Sequence, residues 1–278
     1  MEITKKIVEL LNNVKEKNPL VHHITNYVTV NDCANITLAI GASPVMADDI
    51  NEVCEMVSLS SSFVINIGTL NSRSVESMIK AGKKANELNI PVILDPVGVG
   101  ATNYRTETAK RIISEVKLAV IRGNLSEIKT LYGIETKTKG VDSIESDYAG
   151  SDEFLVEKEM ARSLAIKLNT VIAITGARDI ITDGKTLYVT RNGHKIMSKV
   201  TGTGCMCTSL IGSFLGAGDD NLIAAVAGVE SMGIAGEIAY EGLDKESEGT
   251  GTLKVRILDV IYNLSKELIM KRGKINEE

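Results

Sequence analysis

The sequence predicts an α/β fold: a mostly parallel sheet covered by helices on both faces, with an antiparallel hairpin at one edge. Three observations carry this. Short, continuously apolar runs recur: PLVHHIT (19–25), PVMADD (44–49), SFVINIGT (62–69), PVILDPVG (91–98), LAVIRGN (118–124) and TVIAITG (170–176). Strands that are apolar throughout, rather than alternating, belong to a parallel sheet buried on both sides. Helix-patterned stretches such as 71–89 and 104–116 separate them, as strand–helix–strand crossovers require. From Asp179 to Lys195 the pattern changes to IITDG and TLYVTRNG, which predicts a hairpin turning at Asp183-Gly184.

The remaining elements follow in order. Ile3, Ile7, Leu10, Leu11 and Val14 repeat at the spacing of an amphipathic helix, which Pro19 prevents from continuing. The stretch 133–152 is hydrophilic and rich in Lys, Glu, Ser and Gly, and predicts a long surface excursion of the kind that is uncommon unless functional or mobile. Three helices are expected after the hairpin, over 204–216, 221–241 and 252–270. The last places Leu253, Ile257, Leu258, Ile261, Leu264 and Leu268 on one face.

With 278 residues, no internal repeat and no dividing linker, residues 1–278 are expected to form one domain. The chain is 44% hydrophobic but only 4% aromatic, without Trp, so its core must be aliphatic. A net charge of −5 argues against non-specific nucleic-acid binding, while leaving room for a small anion held by local amides. Cys33, Cys54, Cys205 and Cys207 are too few for a disulfide scaffold in a chain this long and read as free thiols. The N-terminal segment is charged throughout and has no apolar signal-peptide core. The longest uncharged run, 200–218, is more than half Gly, Ser and Thr, unlike a membrane span. A cytoplasmic protein is expected.

Ligands of open parallel sheets sit beyond the carboxyl ends of the strands. The residues to inspect are therefore Thr25-Asn26, Met46-Asp48-Asp49, Gly68-Thr69, Asp95 to Gly98, Arg122-Gly123-Asn124 with Glu127, and Thr175-Gly176. Any one of them is equally read as a helix N-cap. The strongest local signal is VTGTGCMCTSL (200–210), a glycine-rich turn opening a helix. Such a turn offers unpaired N–H groups and the positive end of the helix dipole to a phosphate. No Lys-Ser/Thr pair follows the glycines, so it is not a Walker A loop.

Asp95 and Glu127 supply hard oxygens of the kind Mg²⁺ takes together with substrate phosphates. Arg122 either reaches a phosphate or pairs with Glu127, and spacing leaves both open. Cys205, at a helix N-terminus where a thiol pKa should fall, is a reactive nucleophile, a weak base or a small buried residue. Adjacent His22 and His23 face opposite sides of a strand, so at most one points into a site, and His194 falls in a turn expected to be solvated.

The order of these motifs resembles hydroxyethylthiazole kinase. The resemblance rests on residues 19–49, ILDPVGVGAT (93–102), IRGNLSEI (121–128), TGARD (175–179) and VTGTGCMCTSLIGSFL (200–215), and spans nearly the whole chain. It implies a ribokinase-like, three-layer α/β/α sandwich, assembled as a homotrimer with interface active sites. It also implies transfer of the γ-phosphate of ATP, with Mg²⁺, to the hydroxyl of 4-methyl-5-(2-hydroxyethyl)thiazole in thiamine salvage. By motif, Met46 and Gly202 are implied substrate contacts, with Asn26 and Gly68 as further pocket residues. Arg122 and Thr175 are implied ATP-phosphate contacts, and Asp95 and Glu127 the Mg²⁺-associated carboxylates. Cys205 stands where ribokinase-like relatives usually carry an aspartate base, and is expected to orient the hydroxyl while assisting its deprotonation weakly. The rival readings are a hydroxymethylpyrimidine kinase, a nucleotide-dependent dehydratase on the same fold, and a non-catalytic thiazole or thiamine sensor.

Overall fold

A computed structural model of the chain describes residues 2–137 and 153–278. All six apolar runs form strands: β1 (Leu20–Ile24), β2 (Ser43–Val45), β3 (Ser62–Asn66), β4 (Val92–Asp95), β5 (Val120–Asn124) and β6 (Val171–Thr175). The predicted hairpin is β7 (Asp179–Thr182) and β8 (Leu187–Thr190). At its turn the Asp183 carboxylate accepts the N–H groups of Lys185 and Thr186, and Gly184 takes φ +92°. A last strand, β9 (Ile275–Glu277), completes one sheet of order β2-β1-β3-β4-β5-β6-β7-β8-β9. Strands β1 to β6 pair in parallel and β6 to β9 antiparallel. The hairpin thus belongs to the antiparallel edge of the sheet as expected, and β9 adds one further strand outside it. That strand is short and polar, so no apolar run announces it.

Successive side chains of each strand point to opposite faces, and the two faces carry separate cores. On one face Val64 and Ile93 meet α1 (Glu2–Lys17), α2 (Val30–Ile40), α8 (Thr203–Leu215), α9 (Asn221–Glu241), α10 (Thr250–Tyr262) and α11 (Lys266–Arg272). On the other, Phe63, Ile65, Val92 and Leu94 meet α3 (Val53–Ser58), α4 (Ser72–Glu87), α5 (Asn103–Glu115), α6 (Leu125–Lys137) and α7 (Glu153–Leu168). This is the expected three-layer α/β/α arrangement. Helix α9 is long and apolar enough to cross a membrane, yet it is buried inside the protein as a core helix.

Two expectations are corrected. The helix predicted over 252–270 is two helices, because Ser265 caps a fresh start by accepting the N–H of Leu268 at 3.3 Å. The apolar period continues through the break because Leu264 is still buried between the two pieces. The predicted excursion begins as helix, since α6 runs to Lys137, and its remaining residues 138–152 lie outside the described residues.

Candidate active site

Helix α8 lies across the sheet with its N-terminus at the carboxyl ends of the strands. Gly212 permits this: a Cβ there would stand 2.7 Å from Val64 and 3.3 Å from Val21. The helix opens at Gly202, with φ +93° and no side-chain cap, so its first amides are left for a ligand. Beside them stands Cys205, whose sulfur accepts the Nδ2–H groups of Asn26 and Asn66, each at 3.3 Å. Asn66 also donates to Asp95 Oδ2 at 2.9 Å, and Thr208, one turn into α8, donates to the same oxygen at 2.8 Å. Asp95 Oδ1 is buried without a partner.

Burial dominates the electrostatics of this cluster. It pushes the Asp95 carboxyl up to about 6, against the opposing pull of Arg122 and the bonds from Thr208 and Asn66. Burial also pushes the Cys205 thiol up, and the charge of Asp95 adds to that, against hydrogen bonds from Thr29, Asn26 and Asn66. The net direction is thus opposite to the lowering expected at a helix N-terminus, and desolvation, which penalises the thiolate, is its largest cause. At neutral pH the residue is a thiol.

Arg122, from β5, points into the same space. Its guanidinium lies 3.8 Å from Asp95 Oδ2, and it donates to Thr175 Oγ1 at the end of β6. A Cβ on Gly204 would fall 2.7 Å from Arg122 Nη1, so this glycine lets the cation and the opening amides of α8 share one place. From here a cleft of about 690 Å³ runs outward past Thr175, Asp179, Asn192 to His194, Met197 and Gly233. Its polar head and partly apolar length suit a nucleotide. His194 is not a solvated turn residue: it stacks on Tyr240, with ring centroids 3.6 Å apart, and caps the 3-10 helix Lys195–Lys199.

Glu127 folds back on its own helix. Its backbone N–H donates to Asn124 Oδ1 at 2.9 Å while its Oε2 accepts Asn124 N–H at 2.8 Å, a reciprocal cap of α6. Its Oε1 accepts Gly98 N–H at 2.9 Å. The ion pair of Arg122 is therefore with Asp95 and not with Glu127. A divalent cation fits here. Asp95 offers a buried oxygen with no partner, and Glu127 sits close enough to raise the Asp95 pKa. Two carboxylates and substrate phosphates are the set Mg²⁺ accepts.

Of the nine residues singled out from the sequence, Asn26, Asp95, Arg122, Thr175 and Cys205 are joined by hydrogen bonds and one ion pair, with Glu127 alongside. Gly202 opens α8, and a Cβ on it would meet Thr29 at 2.9 Å. Gly68 has a packing reason, since a Cβ there would meet Asn26 at 2.9 Å and Asn66 at 3.0 Å. Met46 is half-buried just beyond β2, next to an Ala47 carbonyl that receives the His22 ring N–H at 2.6 Å. Neither strand histidine enters the site. His23 is bonded to Val21 O and Ser209 Oγ, and burial brings it down to about 4. Asn66 and Thr208 were missed. Asn66 lies inside its apolar run, between Ile65 and Ile67, where it reads as strand, and Thr208 lies inside a helix whose apolar pattern hides it.

A profile of the hydroxyethylthiazole kinase family matches residues 11–267. The chain belongs to that family. It is 58% identical to the hydroxyethylthiazole kinase of Clostridium beijerinckii over 99% of both chains. The solved structure of the Pyrococcus horikoshii hydroxyethylthiazole kinase matches with a TM-score of 0.87 at 40% identity, covering 99% of each chain. A ribokinase-like superfamily protein from Enterococcus faecalis, 11% identical, matches with a TM-score of 0.63 over 92% of this chain and 89% of that one, and shares the fold alone. The fold is ribokinase-like, and the family is one of kinases.

Proposed function

We propose that this protein transfers the γ-phosphate of ATP to the hydroxyl of 4-methyl-5-(2-hydroxyethyl)thiazole, a salvage step toward thiamine, with the whole chain acting as one kinase domain. The observation that carries the reading is the meeting of Arg122, the uncapped amides of α8 and the Asn26–Asn66–Cys205–Asp95 cluster at one point. ATP lies along the cleft, with Arg122 and Thr175 on its phosphates. Phosphoryl transfer needs alignment and neutralisation of charge more than covalent help. Arg122 and the amides of Thr203, Gly204 and Cys205 stand where that charge develops. Asp95 and Glu127 would hold Mg²⁺, which supplies further neutralisation of the phosphates when bound.

The alcohol occupies the other side of Cys205, toward Asn26, Gly68, Met46 and Gly202. A protonated thiol makes Cys205 an orienting group for the hydroxyl and a poor base. Tyr27 and Val28, directly after Asn26, are 77% and 59% exposed. Their exposure beside Asn26 leaves room for a neighbouring subunit to close the pocket, as in the homotrimer that the family resemblance implies. Free thiols at all four cysteines support a reducing, cytoplasmic setting.

The test is incubation with ATP, Mg²⁺ and either the thiazole alcohol or hydroxymethylpyrimidine, resolving products by chromatography. Thiazole phosphate and ADP in equal amounts are expected from the first and none from the second. Phosphorylation of the pyrimidine alone would transfer the reading to that kinase, and no phosphoryl transfer to either would refute it.

A further inference from the structure

We propose that Asn66 is a positioning residue for phosphoryl transfer, its amide tying the sulfur of Cys205 to the carboxylate of Asp95 at the opening of α8. The inference rests on the kinase reading above, which counts Asn66 in the cluster but gives it no role of its own. Asn66 is 2% exposed and every hydrogen-bonding capacity of its side chain is used. Nδ2 donates to Asp95 Oδ2 at 2.9 Å and to Cys205 Sγ at 3.3 Å. Oδ1 accepts Gly68 N–H at 2.9 Å and Asn26 Nδ2–H at 3.0 Å.

This set admits one orientation of the amide. Turned over, its NH₂ would face the donors of Gly68 and Asn26, and its oxygen would face Asp95. Asn26 is fixed in the same way, because its own Oδ1 accepts both the backbone N–H of Thr29 at 3.0 Å and the Thr29 hydroxyl at 3.1 Å. Two locked amides from the ends of β1 and β3 thus direct N–H groups at one sulfur. A sulfur so surrounded is held in place and is poorly disposed to accept a proton, so what it offers the alcohol is position and its S–H. Pairing of Asn66 with Asp95 in the parallel register of β3 and β4 fixes the spacing between thiol and acid without any loop.

The test compares Asn66→Asp, which keeps the shape and the acceptor but loses both donors, in wild-type and Cys205→Ala backgrounds. Displacement of a reacting group by about 1 Å can cost on the order of 10²-fold. We expect kcat for thiazole phosphorylation to fall ~10- to 10²-fold with KM for ATP changed less than about threefold, the loss shrinking to under about threefold once the sulfur is gone. A readout without substrate accompanies it. In a Cys54→Ser background, alkylation of Cys205 by iodoacetamide should slow about tenfold, since the change removes a donor and adds a negative group beside the sulfur. Should Asn66→Asp not fold, Asn26→Ala removes the other donor to the sulfur and should show the same background dependence of kcat. Equal losses in both backgrounds, or an unchanged alkylation rate, would overturn the assignment. If the wild-type protein phosphorylated no thiazole alcohol, the kinase reading would fall while the alkylation comparison still decided whether Asn66 holds the sulfur.

Discussion

Replacing Glu230 by Gln should make the protein more stable at alkaline pH and leave it nearly unchanged in mild acid. Glu230 lies in the middle of α9 with no exposed surface. One of its oxygens accepts the backbone N–H of Lys274 at 2.8 Å, and the other is buried without a partner. Burial pushes this carboxyl from 4.5 up to about 8, with the charges of Asp179 and Glu237 adding to the shift and Lys274 opposing it. Below pH 4.5 the group is protonated folded and unfolded alike, so its contribution is fully present. As pH rises toward 8 the unfolded chain gives up a proton that the folded chain retains, and stability is lost across that window. The gap spans about 3.5 pH units, and at ~1.36 kcal/mol per unit its ceiling is about 5 kcal/mol. Gln imitates the protonated acid and cannot ionise. Urea unfolding at pH 5 and pH 9, at one fixed protein concentration, should show differences of under about 1 kcal/mol at the lower pH and at least about 2 kcal/mol at the higher. Parallel stability curves, or a Gln variant that is weaker at pH 9, would refute the reasoning.

Other consequences concern turnover. Gly204→Ala puts a methyl 2.7 Å from Arg122 Nη1, so kcat should fall about 10²-fold while Tm changes little, as steady-state kinetics and calorimetry would show. Cys205→Ala should keep measurable activity, with kcat down no more than ~10²-fold, because the thiol is not the base; abolition that Cys205→Asp fails to repair would assign a covalent or thiolate role. Glu237 accepts Gly193 N–H at 3.0 Å, Asn192 Nδ2–H at 3.1 Å and Lys274 Nζ at 2.8 Å, which pins the cleft wall to the C-terminal segment. Lys274→Ala should therefore raise KM for ATP several-fold and leave KM for the alcohol unchanged, and equal rises in both would contradict it.

Much of the site was legible because polar groups that interrupt apolar runs are conspicuous. Asp95, Arg122 and Thr175 each end or follow a run of aliphatic residues, and a buried sheet has no use for them there. Asn66 escaped because it completes SFVIN, where an isolated polar residue passes for strand, and inspection beyond the run falls on Gly68 and Thr69 instead. Glu230 escaped because α9 is apolar on all sides, so its period marks no face and gives no sign that one acid is entombed. The break at 263–265 was hidden for the opposite reason, the apolar period surviving it.

The sequence by itself determined most of the elements, apart from β9 and the break between α10 and α11, and the end of the sheet at which chemistry sits. Both follow from local causes: the period of apolar residues, the conformations open to Gly202, and the Ser and Asn residues that cap helices. Only the tertiary structure decided that Arg122 faces Asp95 while Glu127 caps its own helix, and that the Cys205 thiol goes up when its helix terminus alone would bring it down. Those outcomes depend on burial and on partners 113 and 139 residues apart in the chain, such as Thr208 with Asp95 and Asn66 with Cys205. Desolvation and hydrogen bonding are set by what packs around a group in space, and no local pattern of residues encodes that.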